Sequence, residues 1–181
     1  MRTLGRLSGI MLLGTVVAQP AAARDTGGWD DASTVARNVL IVAALGVPAA
    51  KHDWHGALQA GGSVGAAFAV TAALKESFPE RRPDGSNRKS FPSGHTSTAF
   101  AAAATLHNRY GWKVGIPAQA VAAFVGVARV EARKHHWYDV VAGAAIGEAS
   151  GFLITSRRDA TVRVLPWGDG RSGGLLLSAQ F

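Results

Sequence analysis

Five long apolar runs, rich in alanine and separated by short polar segments, constrain this chain most. They are Thr34–Ala50, Ala57–Leu74, Thr96–His107, Val114–Val130 and Tyr138–Thr155. None alternates apolar with polar residues at a period of two, so the pattern predicts helices rather than strands. The separators Lys51–His55, Pro79–Pro92, Asn108–Lys113 and Glu131–Trp137 carry the charges, glycine and prolines that end helices. A chain of 181 residues supplies one ordinary domain. The expected fold class is therefore all-α, a compact bundle of about five helices over residues 24–158. The tail, 159–181, reads differently. Thr161–Trp167 and Leu175–Phe181 flank the turn-rich Gly168–Gly174, which predicts a short β-hairpin-like addition.

The first 23 residues read as an address. Arg2 and Arg6 precede an apolar run from Leu7 to Ala18, and Ala21-Ala22-Ala23 supplies a small-residue end. The pattern predicts a signal peptide cut near Ala23, with a retained N-terminal membrane helix as the alternative. The expected location is the periplasm or cell envelope, or, in the alternative, the inner membrane as an integral protein. The five later runs are only 12 to 18 residues long and are interrupted by Arg37, Asn38, Gln59, Pro117, Gln119 and Glu148. A spanning helix needs about twenty residues, and a charge at its centre costs about 2.5–3.5 kcal/mol. A bundle outside the bilayer is thus the expectation, and a membrane-embedded one the alternative.

Composition narrows the chemistry. With no cysteine, disulfides and thiolate metal ligands are excluded. An apolar content of 48% excludes a disordered chain. The net charge of +7 comes partly from two clusters, Arg81, Arg82, Arg88 and Lys89, and Arg129, Arg133 and Lys134. No aromatic residues interleave them and no nucleic-acid module accompanies them, so no nucleic-acid partner is expected. A phosphate-like ligand or an anionic membrane surface remains.

Three polar constellations stand at the ends of the apolar runs. Lys75 closes the second, and Arg82-Pro83 follows it in the loop. Alone, Lys75 is explained as complementing a helix dipole. Pro92-Ser93-Gly94-His95 opens the third, giving unobstructed backbone N–H groups suited to an anion. Ser93 alone might only be an N-cap. Arg129, His135 and Asp139 form the last, with His135 and Asp139 four apart and hence on one helical face. A carboxylate on one imidazole nitrogen leaves the other free as nucleophile or base; the plainer reading is a surface pair. Neither His135, His136 and Asp139 nor His52, Asp53 and His55 has the spacing of a common zinc motif. No metal or other cofactor is expected.

Taken together, in order, these segments match K-x6-R-P, P-S-G-H and S-R-x5-H-x3-D. The chain thereby resembles the type 2 phosphatidic acid phosphatase and vanadium haloperoxidase superfamily. One departure is Ala128, where that family usually has serine. The resemblance covers Lys75–Asp139 and places the active site at helix ends. It implies a phosphate cradle of Lys75, Arg82, Ser93, the Gly94 N–H and Arg129. It implies His135 as nucleophile, Asp139 as the group that orients it, and His95 as general acid and base. The reaction implied is metal-independent hydrolysis of a phosphate monoester or diphosphate through a phosphohistidine. A lipid-type phosphate is favoured by the hydrophobic, exported character of the chain; soluble esters carry the same terminal phosphate. The alternatives are a vanadium-dependent haloperoxidase and a non-catalytic helical envelope protein.

Overall fold

The computed structural model describes residues 26–158, 162–168 and 171–179. The expected signal peptide lies outside the described residues. Five helices follow in order: α1 Thr26–Ala50, α2 Trp54–Ser77, α3 Gly94–Tyr110, α4 Trp112–Glu131 and α5 Trp137–Ile154. Two strands, β1 Val162–Gly168 and β2 Gly173–Ala179, complete the described chain. The all-α bundle with a hairpin tail is thus observed. β1 and β2 pair antiparallel, with Val162 opposite Ala179 and Gly168 opposite Gly173.

α1 to α4 each outrun the apolar run that announced them, because polar residues set their ends, whereas α5 keeps the length of its run and starts one residue earlier. Asp53 caps α2 by accepting from the Gly56 N–H at 3.0 Å. Ser93 caps α3 by accepting from the Thr96 N–H at 3.4 Å. These side chains satisfy donors that a helix start leaves without partners. Gly111, at φ +79°, ends α3 and begins α4, a conformation glycine adopts without steric cost. The largest extension is α1, which begins at Thr26 rather than Thr34.

α3 occupies the middle of the bundle and packs against all four other helices. That position explains its composition. Ala99, Ala101, Ala102, Ala103 and Ala104 are all fully buried. A helix with neighbours on every side needs small residues on every face. The closest of these neighbours is α5, and glycines let it approach. A Cβ on Gly143 would stand 2.6 Å from the Ser93 carbonyl oxygen, and one on Gly147 would collide with the Ser97 carbonyl.

The added length overturns the argument against a membrane location. α1, α2 and α4 run for 25, 24 and 20 residues and are long and apolar enough to cross a bilayer. One of the interrupting polar groups, Gln59, is also spent inside the protein. Gln59 is buried, accepts from Arg109 Nη1 at 3.1 Å and donates to Ser156 Oγ at 3.2 Å. Arg37 stays at the helix surface, where it donates to its exposed neighbour Asn38 at 2.8 Å. Meanwhile Val39, Val42, Leu58, Phe68, Ile116 and Leu153 face outward. For a water-soluble bundle this arrangement would be inverted.

At the end of the bundle formed by the start of α2 and the finish of α3, Arg109 is buried against Asp53. The Tyr110 hydroxyl also donates to Asp53, at 3.2 Å. The Arg109 hydrogen bonds hold the Asp53 carboxyl down at about 2. Asp53 is therefore a structural anion, not a metal ligand with His52 and His55.

Candidate active site

The opposite end collects the starts of α1, α3 and α5 and the finishes of α2 and α4. All three sequence constellations arrive there. Lys75, in the last turn of α2, reaches the loop before α3. Its Nζ donates to the carbonyls of Lys89 at 2.8 Å, Ser90 at 3.2 Å and Pro92 at 2.5 Å. The cation thereby fixes the path of the loop that delivers Ser93. Ser93 is buried, its hydroxyl 2.9 Å from Thr96 Oγ1, and its N–H donates to the Asp139 carbonyl at 3.0 Å. That bond ties the start of α3 to the start of α5. Gly94 follows at the first position of α3, where helix N–H groups lack internal partners.

Arg129 lies in the last turn of α4, 3% exposed. It pairs with Asp30 of α1 and donates to Ser33 Oγ at 3.2 Å. Arg82 sits in the α2–α3 loop, its N–H donating to the Asn87 carbonyl at 3.0 Å. Both Arg82 Nε and Arg129 Nε are buried without a partner among the described residues. A buried unsatisfied donor is costly, and an incoming anionic oxygen would satisfy either one.

His135 is almost wholly buried in the turn before α5, with Nδ1 3.5 Å from Asp139 Oδ2. Asp139 is fully buried. Its Oδ2 accepts from Ser90 Oγ at 2.5 Å and from the His136 backbone N–H at 2.9 Å. Burial pushes His135 down to about 4, against the pull of Asp139, and the charges of Arg129, Lys75 and Arg82 push the same way. The ring is therefore neutral at neutral pH, with a lone pair available. It also feels all three cations at once, which marks them as one cluster.

His95, in the first turn of α3, places Nε2 3.1 Å from Thr34 Oγ1. Burial, then the charges of Arg129, of Arg37 from α1 and of His135, push His95 down to about 3, so its ring is neutral while the site holds no anion. Every residue singled out in the three motifs is thus gathered at one end. The contribution of α1 was missed: Asp30, Ser33 and Thr34 all contact site residues. Their spacing of three and four marks one helical face, but starting the helix at Thr34 left Asp30 and Ser33 in a linker. Ser90, which bonds Asp139, sits outside every motif and carried no sequence signal.

A cluster of cations at the ends of helices, beside a buried histidine–carboxylate pair, defines a class of anion-processing helical bundles. The PAP2 superfamily model matches residues 56–163, more than half of the chain, and the protein belongs to that superfamily. Among curated relatives, a lipid A 1-phosphatase of Porphyromonas gingivalis is 43% identical over 84 residues, 45% of this chain and 19% of that protein. A lipid A 4'-phosphatase of Helicobacter pylori is 38% identical over 77 residues, 42% of this chain and 39% of that protein. The chain thus spans well under half the length of either relative. Two solved structures share the fold. LpxE of Aquifex aeolicus aligns with a TM-score of 0.61 at 20% identity, over 71% of this chain and 83% of that one. A transmembrane PAP2-type phosphatidylglycerolphosphate phosphatase of Bacillus subtilis aligns at 0.56 and 24% identity, over 71% and 74%.

Proposed function

We propose that this protein is a membrane-embedded phosphatase that removes the terminal phosphate of a lipid-type ester through a phosphohistidine on His135. The observation that carries the reading is the convergence of three sequence-distant motifs on one cluster of cations around a neutral histidine that faces a buried carboxylate. Arg82, Arg129, Ser93 and the Gly94 N–H, joined by Lys75 once it exchanges one of its three loop carbonyls for substrate, hold the equatorial phosphate oxygens and stabilise their charge in an in-line transfer. His135 attacks phosphorus, and Asp139 steadies the imidazolium that forms. His95, held neutral in the free site by burial and by Arg129, takes up a proton when the negative phosphate binds beside it. It gives that proton to the departing alkoxide, then takes one from the water that releases phosphate. The cations supply the positive charge, so the chemistry calls for no metal. Asp30, now on Arg129, yields that partner to the substrate.

Membrane embedding follows from the outer surface. Trp29 and Trp137 are exposed at the active-site end, and Trp54 and Trp112 at the other. Indole rings favour the headgroup level. The 20 residues of α4 rise about 30 Å between those levels, the thickness of a hydrocarbon core. A pocket at the headgroup level suits a phosphate carried on a lipid. The named activities of the two bacterial relatives, both lipid A phosphatases, support this substrate class.

The test is phosphate release from lipid and soluble esters in detergent. Lipid phosphates should be preferred, EDTA should leave the rate intact, and vanadate should compete with substrate. Loss of activity on chelation, restored by one metal, would overturn the metal-free cradle.

A further inference from the structure

We propose that Glu80, His136 and Asp139 form an inhibitory zinc site beside the nucleophile. Among the described residues these three offer ligand atoms within 4.8 Å of one another. No sequence motif joins them. Glu80 comes from the α2–α3 loop, and His136 and Asp139 from the start of α5. His136 Nδ1 lies 3.6 Å from Glu80 Oε1 and 3.4 Å from Asp139 Oδ2. Ligands about 2.0–2.2 Å from a tetrahedral zinc stand about 3.3–3.6 Å apart. Both separations from His136 match that edge before any ion binds, and Glu80 and Asp139 offer oxygens within 4.8 Å of each other.

The donors suit zinc in kind as well as spacing. One imidazole and two carboxylate oxygens favour it over magnesium, which prefers oxygen ligands and octahedral geometry. The ligands are also held in place. The Tyr138 hydroxyl donates to Glu80 Oε1, and the Tyr138 ring stacks on His136 at 5.0 Å and 5°. Such outer partners orient metal ligands. Glu80 and His136 are each about one-third exposed, so an ion can enter from solvent, while Asp139 closes the site from within.

Occupancy has a consequence at His135. Asp139 Oδ2 is the oxygen nearest both His135 Nδ1 and His136 Nδ1. A zinc ion there draws the charge of that oxygen away from His135 and leaves the nucleophile without its support. This consequence rests on the proposed role of Asp139; the site itself does not.

The experiment titrates zinc chloride into the full chain in chelator-free detergent, following calorimetry and phosphate release on the same sample. One equivalent should bind, turnover should fall at least tenfold, and EDTA should restore it. His136→Phe keeps the ring stacked on Tyr138, and Glu80→Gln keeps an acceptor for its hydroxyl. Both should retain the zinc-free turnover while losing at least tenfold in zinc affinity and in inhibition. Absence of binding in the wild type, or binding undiminished in both variants, overturns the site. Binding that depends on both residues but leaves turnover unchanged overturns the inhibition and counts against Asp139 as the support of His135. A wild type that binds zinc through these residues yet hydrolyses no phosphate ester refutes the phosphatase reading and leaves the metal site standing.

Discussion

His135 illustrates how one residue's chemistry is set by its surroundings. Free histidine is half protonated near pH 6.5, which would waste much of a nucleophile in mildly acidic conditions. Burial, helped by three nearby cations, holds this ring down at about 4. It is then neutral through the range where an ordinary histidine loses its lone pair. The sign follows directly: between about 6.5 and 4 the unfolded chain binds a proton here that the native chain refuses. Acidification through that window therefore weakens the fold, while the nucleophile stays competent until pH approaches 4. Carbon-13 NMR of labelled histidine, assigned with His135→Gln, should show the ring titrating near 4. An inflection near 6.5 would mean that the pocket is wet and the ring unperturbed. At this scale the sequence was most informative: charge and spacing marked three constellations, and the resemblance carried by their order joined Lys75, Arg82, Ser93, Gly94, His95, Arg129, His135 and Asp139 into one expected site. It was silent on Ser90 and Asp30, because a serine in a loop and an aspartate before an apolar run have no distinguishing pattern.

Between elements, the decisive contact is α3 on α5, because it sets the start of one helix, with Ser93 and His95, against the start of the other, with Asp139. Gly143 and Gly147 permit it, and both face backbone of the α3 segment rather than adaptable side chains. Gly147→Ala should therefore push the helices apart, costing about 1–3 kcal/mol as overpacking does and lowering turnover as well. Gly46, in α1, has open space where a Cβ would go. Gly46→Ala should be neutral or stabilise by up to about 1 kcal/mol through helix propensity. Unfolding midpoints in detergent compare the two, and equal effects would refute the tight α3–α5 seam. Helix identity was legible from the apolar runs, whereas helix ends were not. Residues such as Thr26–Ser33 and Trp54–Gly56 are too polar or too aromatic to extend an apolar pattern, yet they are helical because caps and tertiary contacts hold them.

For the whole molecule, the sequence misled on one question for a physical reason. Polar residues inside apolar runs lower the hydropathy of a helix whether they face lipid or protein. Only the structure shows that Gln59, Ser63 and Thr71 are buried inward. With exposed tryptophans at both ends, lipids brominated near the glycerol should quench tryptophan fluorescence more than lipids brominated at mid-chain. No quenching by either lipid would place the bundle outside the bilayer, and quenching as strong at mid-chain would contradict the headgroup-level placement. The central claim is that residues from α2, α3, α4 and α5 act as one phosphoryl-transfer site with His135 at its centre. The most direct measurement is rapid-quench labelling with a phosphorus-32 aryl phosphate, followed by mapping of the labelled peptide. Such an ester has a leaving group that needs little protonation, so His95→Ala should still be phosphorylated but hydrolyse the intermediate slowly. Its turnover on an alkyl or lipid phosphate should fall further, within the roughly 10²–10⁴-fold typical of a lost general acid. The account predicts acid-labile label on His135 that accumulates in His95→Ala and is absent from His135→Ala. Label on His95, or none in either variant while the wild type turns over, would contradict it.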